Sequence, residues 1–125
     1  MASQIILSLV LVSAGALKTP ASRVCVAGAG PCALLFSHLH LQNDPDASVE
    51  LFDKAPREGT PDDNAFGFGI GERARASLRT VPGLLERVEG IGRLVGPFRG
   101  RDTGLMMVNR RDLVDVMTQL LEERY

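Results

Sequence analysis

At 125 residues, with 45% apolar and 23% charged side chains and a formal net charge of −1, the chain suits one modest globular domain and carries no bulk field that would draw it to nucleic acid or to anionic membranes. Trp is absent and Tyr occurs once, so no basic patch interleaved with aromatics marks a nucleic-acid surface. Two cysteines, Cys25 and Cys32, are too few for a disulfide framework, and without a CxxC or a His pair at ligand spacing no metal site is expected.

Residues 1–22 read as a targeting segment. Ile5 to Val12 is apolar except for Ser8, too short to span a bilayer as a stable helix. Ala14-Gly15-Ala16 then offers the small residues at which a signal peptidase cuts. No Lys or Arg precedes the run, so the α-amino group is the only positive charge ahead of it. Lys18 to Arg23 is basic, hydroxylated and free of acids, which is the chemistry of a transit peptide. Together the two parts resemble a bipartite plastid leader and imply entry to the secretory pathway. The alternatives are a buried N-terminal strand, or sequence lying ahead of the true start.

The remainder, residues 23–125, reads as strand, Gly-rich turn, helix, strand. Val24-Cys25-Val26-Ala27 is a short run with β-branched residues, suited to a buried parallel strand. Gly28-Ala29-Gly30-Pro31 breaks it, and Ala33 to Leu41 reads as a helix with Pro31 in its first turn, where no N–H is needed. Cys25 and Cys32 read as small buried thiols. His38 and His40, two apart, face different directions on that helix and are expected at solvent or core-edge positions. Asn43-Asp44-Pro45-Asp46 closes the helix with turn chemistry, and Ser48 to Asp53 resumes as a strand. A parallel βαβ unit follows.

Residues 54–71, with two Pro and four Gly, read as loop. Glu72 to Val81 reads as a helix with Arg73, Arg75 and Arg79 on its solvated side, stopped by Pro82-Gly83. Leu84 to Val88 is one or two further helical turns, and 90–104 reads as irregular, with Arg93, Arg101 and Asp102 as surface charges. Leu105 to Val108 is expected as a separate short strand, with Met106 and Met107 in its packing. Asn109 then reads as an N-cap with Asp112 completing a capping box. The last helix is expected from Arg110 to about Arg124, burying Leu113, Met117, Leu120 and Leu121.

The chemistry concentrates in Gly28-Ala29-Gly30-Pro31-Cys32-Ala33, a GxGxxA between a strand and a helix. Gly28 permits the tight turn, Gly30 lets backbone approach a pyrophosphate, and Ala33 is small enough for helix and strand to pack closely. The helix N-terminus offers unpaired N–H groups and the positive end of its dipole. Asp53 stands twenty residues beyond Ala33, at the end of the second strand, where a ribose hydroxyl is usually held. This spacing predicts a Rossmann-like dinucleotide-binding unit and leaves FAD and NAD open.

GAGP with the Asp53-Lys54 pair after the second strand resembles the start of flavoprotein hydroxylases. Gly69-Ile70-Gly71, then Arg75, Leu78 and Gly83-Leu84, resembles the next segment of the FAD-dependent aromatic-ring hydroxylases, the kynurenine 3-monooxygenase-like members among them. Val108-Asn109-Arg110-Arg111-Asp112-Leu113 resembles their strand-to-helix Arg-x-x-Leu element. The three blocks stand in the family's order and span about residues 23–124.

The resemblance implies FAD as cofactor, held by Gly28, Gly30, Pro31, Cys32, Ala33, Asp53 and Lys54, with Arg110 reaching it from the last helix. It also implies NAD(P)H as co-substrate and hydroxylation by O2 of a small organic substrate, an aromatic one among the candidates. Two departures stand out. Phe66 occupies the position of a family Arg, for which Arg57 is a substitute from the loop. The family's later segments, which build the flavin-ring and substrate sites, have no counterpart here, so no catalytic group is identifiable and the chain alone is expected to be inactive. The competing expectations are an NAD-binding domain of a dehydrogenase, against which Pro31, Asp53-Lys54 and Arg110 stand, and a non-catalytic, truncated nucleotide-binding module.

Overall fold

The computed structural model describes residues 21–54, 66–97 and 99–125. The segment expected to serve in targeting, apart from residues 21 and 22, and Arg57 lie outside the described residues. Two sheets and four helices make up a mixed α/β fold. Strand β1 (Arg23–Ala27) pairs in parallel with β2 (Ser48–Phe52), from Arg23 opposite Ser48 to Ala27 opposite Phe52. Helix α1 (Pro31–Asn43) connects them. It starts at Pro31, which stands in the first turn as expected, and runs two residues past Leu41.

The second sheet is antiparallel, in the order β3-β5-β4, from β3 (Gly67–Ile70), β4 (Arg93–Leu94) and β5 (Met106–Asn109). Its existence corrects two expectations. Residues 67–70 were expected as loop and form an edge strand. A side chain at Gly69 would stand 2.7 Å from Leu105 Cδ1, so this glycine, which looks like loop composition, is what lets the strand lie against the neighbouring chain. The 90–104 stretch is also partly ordered, since α3 (Leu84–Ile91) runs past Val88 and β4 follows it. β5 is shifted one residue toward the C-terminus of the expected 105–108. Helix α2 (Glu72–Arg79) ends two residues before the expected Val81, and Thr80 and Val81 continue as turns bonded to Ser77 O and Leu78 O. Helix α4 (Arg110–Arg124) starts and ends where the sequence placed it, capped by Asn109, whose side chain accepts from Arg111 N at 2.8 Å.

One apolar core unites these parts. Leu34 of α1, Ile70 of β3, Leu78 of α2, Leu84 and Val88 of α3, Met106 and Val108 of β5, and Leu113, Met117 and Leu120 of α4 are all buried in it. Leu121 only packs against its edge. Along β1 and β2, burial alternates residue by residue. Arg23, Cys25, Ala27, Ser48, Glu50 and Phe52 form an exposed face, so β1 is not the doubly buried strand expected. One face of the pair lacks a covering layer among the described residues, and the hydrophobic run is therefore wetted on one side.

Further corrections follow from that geometry. Both cysteines are exposed: Cys25 lies on the open face of β1 and Cys32 in the first turn of α1. Met107 is 38% exposed, whereas Met106 is buried, as the alternation of a strand requires. His38, expected at solvent or the core edge, is 1% exposed, while His40 is half-buried, stacked on Phe36 and bonded to Ser22 Oγ at 3.0 Å. No described helix is long and apolar enough to cross a membrane.

Candidate functional site

The turn after β1 is held by β2 through two successive hydrogen bonds. Gly28 N donates to Phe52 O, which extends the parallel ladder by one step. Ala29 N then donates to Asp53 Oδ2 at 2.7 Å. Gly28 has φ +100°, a region closed to most side chains, so the chain's own backbone demands glycine there. Gly30 caps α1 with φ −77° and ψ 174°, an extended conformation that any residue can adopt. Its carbonyl accepts from Leu34 N at 3.0 Å, and the N–H groups of the first turn beyond it have no acceptor within the helix.

The Arg110 guanidinium comes to the same place from the other end of the chain. A Cβ built on Gly30 would meet Arg110 Nη2 at 3.5 Å and no other atom within 4 Å outside its chain neighbours and the helix's own backbone. Arg110 is the first residue of α4, and its backbone N–H donates to Phe66 O at 3.0 Å, which ties the helix start to the entry of β3. No carboxylate among the described residues forms an ion pair with it. The described salt bridges lie elsewhere: Arg23–Glu50, Arg75–Glu89, Arg79–Glu72 and Arg87–Glu123. The charged hydrogen bonds of three of these pairs hold Glu72 and Glu123 below the usual carboxylate range and raise Arg23 and Arg87. These three pairs are at the surface, where such contacts contribute little.

Of the residues singled out in the sequence, the structure therefore brings Gly28, Gly30, Asp53 and Arg110 to one edge, with Pro31, Cys32 and Ala33 in the adjoining helical turn. Lys54 follows Asp53 at the surface, and no described contact carries it to the turn. Phe66, where the resemblance expects an Arg, contributes its carbonyl to the start of α4; its ring is 55% exposed and tilted against Phe68. A shallow hollow of about 420 Å³, lined by Arg75, Glu89, Gly92, Leu94 and Met106, lies on other elements. Arg75, expected as a solvated helix charge, is there paired with Glu89 at 2.6 Å.

Gly30 is the informative residue. Neither its dihedral angles nor its neighbours require glycine, in contrast to Gly28. Lack of a side chain there leaves open the space between the helix N-terminus and a guanidinium. A ring of donors around that space, made of first-turn N–H groups and Arg110, is complementary to an anion with several oxygens. Asp53 adds an acceptor on the β2 side. No group of three or more His, Cys, Asp or Glu that could hold a metal occurs among the described residues. No family model matches the chain, and no curated protein matches it significantly.

Proposed function

We propose that this chain binds the adenosine diphosphate end of FAD through a Rossmann-like βαβ unit, as the N-terminal part of a flavin-dependent monooxygenase that hydroxylates a small organic substrate with NAD(P)H and O2. The observation that carries the reading is the open space at Gly30 facing the Arg110 guanidinium. A structural turn needs Gly28 but has no use for Gly30 or for a cation aimed at it. The diphosphate would lie there, against the first-turn N–H groups of Cys32 and Ala33, with Asp53 toward the ribose hydroxyls. Bound flavin would supply the redox and oxygen chemistry. This chain's residues would grip one end of it and fix its direction. An NAD-binding domain would account equally for the Gly turn, for Asp53 and for a cation at the diphosphate; the resemblance of Asp53-Lys54 and of the Arg110 segment to the flavoprotein hydroxylases is what favours FAD.

The test is a titration of the isotope-labelled 125-residue chain followed by NMR. ADP and FAD at millimolar concentration are expected to shift the amides of Gly28 to Ala33 and the Arg110 side-chain N–H. FMN, the other half of the dinucleotide, is expected to shift them clearly less, because its lone phosphate engages half of the site and the described residues offer nothing that encloses the flavin ring. Binding is expected to be weak, since half a site must offset the ordering of a flexible ligand, and NAD(P)H oxidation should stay at background. An equal response to FMN, or no response to ADP at these amides, refutes the assignment.

A further inference from the structure

The two halves of the candidate site stand on different helices, with Gly30 capping α1 and Arg110 opening α4. Their ends meet where a Gly30 Cβ would lie 3.5 Å from Arg110 Nη2. Two turns further in, a second contact joins the same helices: His38 Nε2 lies 2.8 Å from Met117 O. A carbonyl can only accept, so the imidazole donates through Nε2–H. His38 Nδ1, buried and without a hydrogen-bond partner in the structure, is then the bare nitrogen of a neutral ring. Burial holds its pKa below the ordinary histidine value, and the Arg124 cation on α4 pushes the same way, against the Met117 bond.

At 1.5 Å per residue, His38 lies about 12 Å beyond Gly30 and Met117 about 10 Å beyond Arg110. The tie thus sits at nearly the same depth from both N-termini, and the two contacts make α1 and α4 parallel neighbours. The remaining buried side chains of the pair, Leu34 and Leu41 on α1 with Leu113 and Leu120 on α4, are apolar. Ser37, fully buried on α1, donates its hydroxyl to Ala33 O within its own helix. Apolar packing is non-directional and permits small slides and rotations, whereas a bond to one particular carbonyl does not.

We propose that His38 is a positioning residue whose Nε2–H bond to Met117 O fixes the register of α4 on α1 and so holds the Arg110 guanidinium against the Gly30 turn. The ligand readout rests on the nucleotide reading above; the placement of Arg110 does not. The test uses the full chain and compares His38→Leu with His38→Gln, whose amide nitrogen reaches the place of Nε2. His38→Leu is expected to weaken ADP binding roughly tenfold, as when one charge-assisted hydrogen bond is misaligned. His38→Gln is expected to restore it. Should the leucine variant not fold, His38→Asn, polar but too short to reach Met117, takes its place with the same expected loss.

Val88→Ala, a core truncation on α3, serves as the control: its melting temperature should fall while ADP affinity is kept. Unchanged affinity in His38→Leu overturns the proposal, as does a folded His38→Gln that fails to rescue, or a Val88→Ala that loses as much affinity. Ligand-free spectra separate this idea from the nucleotide reading. The Gly30 amide and Arg110 side-chain N–H resonances should move in His38→Leu and return in His38→Gln. That result upholds the positioning role even where wild type ignores ADP, and resonances that stay in place overturn it.

Discussion

Gly28 and Gly30 are two residues apart and should respond oppositely to the same methyl group. At Gly30 the angles suit alanine, and the new Cβ would make an ordinary 3.5 Å contact with Arg110 Nη2. Removing glycine from the unfolded ensemble favours folding by about 0.4–1 kcal/mol. Against this, alanine is a poorer N-cap than glycine by a similar few tenths to about 1 kcal/mol. The two effects nearly cancel, so Gly30→Ala should melt within a few degrees of wild type, given about 4–8 °C per kcal/mol for a domain of this size. The same methyl fills the space in front of the guanidinium and should abolish the ADP response. At Gly28 nothing lies within 4 Å of a new Cβ, but φ +100° costs a non-glycine residue on the order of 1–3 kcal/mol. Gly28→Ala should therefore lower the melting temperature clearly. Thermal melts by circular dichroism and ADP titrations by NMR read both quantities. A Gly30→Ala chain that binds ADP like wild type, or one that melts as low as Gly28→Ala, refutes the reasoning.

Arg110→Met keeps the aliphatic length and should retain the fold while losing the ADP-induced shifts and their dependence on salt, measured by the same titration. Gly92→Ala should destabilise by about 1–3 kcal/mol, because its Cβ would stand 2.6 Å from Cγ of the buried Met106; a melt at wild-type temperature would contradict this. The lowered pKa of His38 means that below about pH 6.5 the unfolded chain takes up a proton the folded chain refuses. Its stabilisation is complete above that pH and is lost as pH falls toward the folded value, so melting temperatures should decline as pH falls below about 6.5, and less so in His38→Gln. Both exposed cysteines should react rapidly with a thiol reagent in the native state, and ADP should slow Cys32 but not Cys25, as peptide mass mapping would show.

What the sequence made legible was local chemistry. Gly28 after a β-branched run, Pro31 in a first turn and Asn109 before an apolar period each act within a few residues, and α1, β2 and α4 follow from them. The approach of Arg110 to Gly30 could be expected only through resemblance, since no spacing rule links residues eighty apart. β3 and β4 were hidden because their glycines and arginines look like loop until a partner strand exists; β5 is that partner. His38 was misjudged for a related reason. Its burial depends on which face of α1 meets α4, and the helix has no clear apolar stripe from which that face could be read, since Phe36 is exposed while Ser37 and His38 are buried. The exposure of Cys25 follows from the uncovered side of β1, and that of Cys32 from its place in the first turn of α1.

The site's charges also dictate how a ligand must lie. The Asp53 carboxylate, already bonded to Ala29 N, repels an anion and favours neutral hydroxyl donors on the β2 side. The Arg110 guanidinium, without a carboxylate partner among the described residues, favours the anion on the α4 side. A molecule with a diphosphate and an adjoining sugar diol satisfies both only in one direction, whereas a bare phosphate or a bare sugar engages half. The turn between them is held by β2 through Phe52 O and Asp53 before any ligand arrives, so little ordering cost remains for this part of the molecule. On the proposed reading, selectivity for a nucleoside diphosphate over its separate pieces would come from opposite charges fixed on two elements, with α1, which packs against α4, keeping them in register.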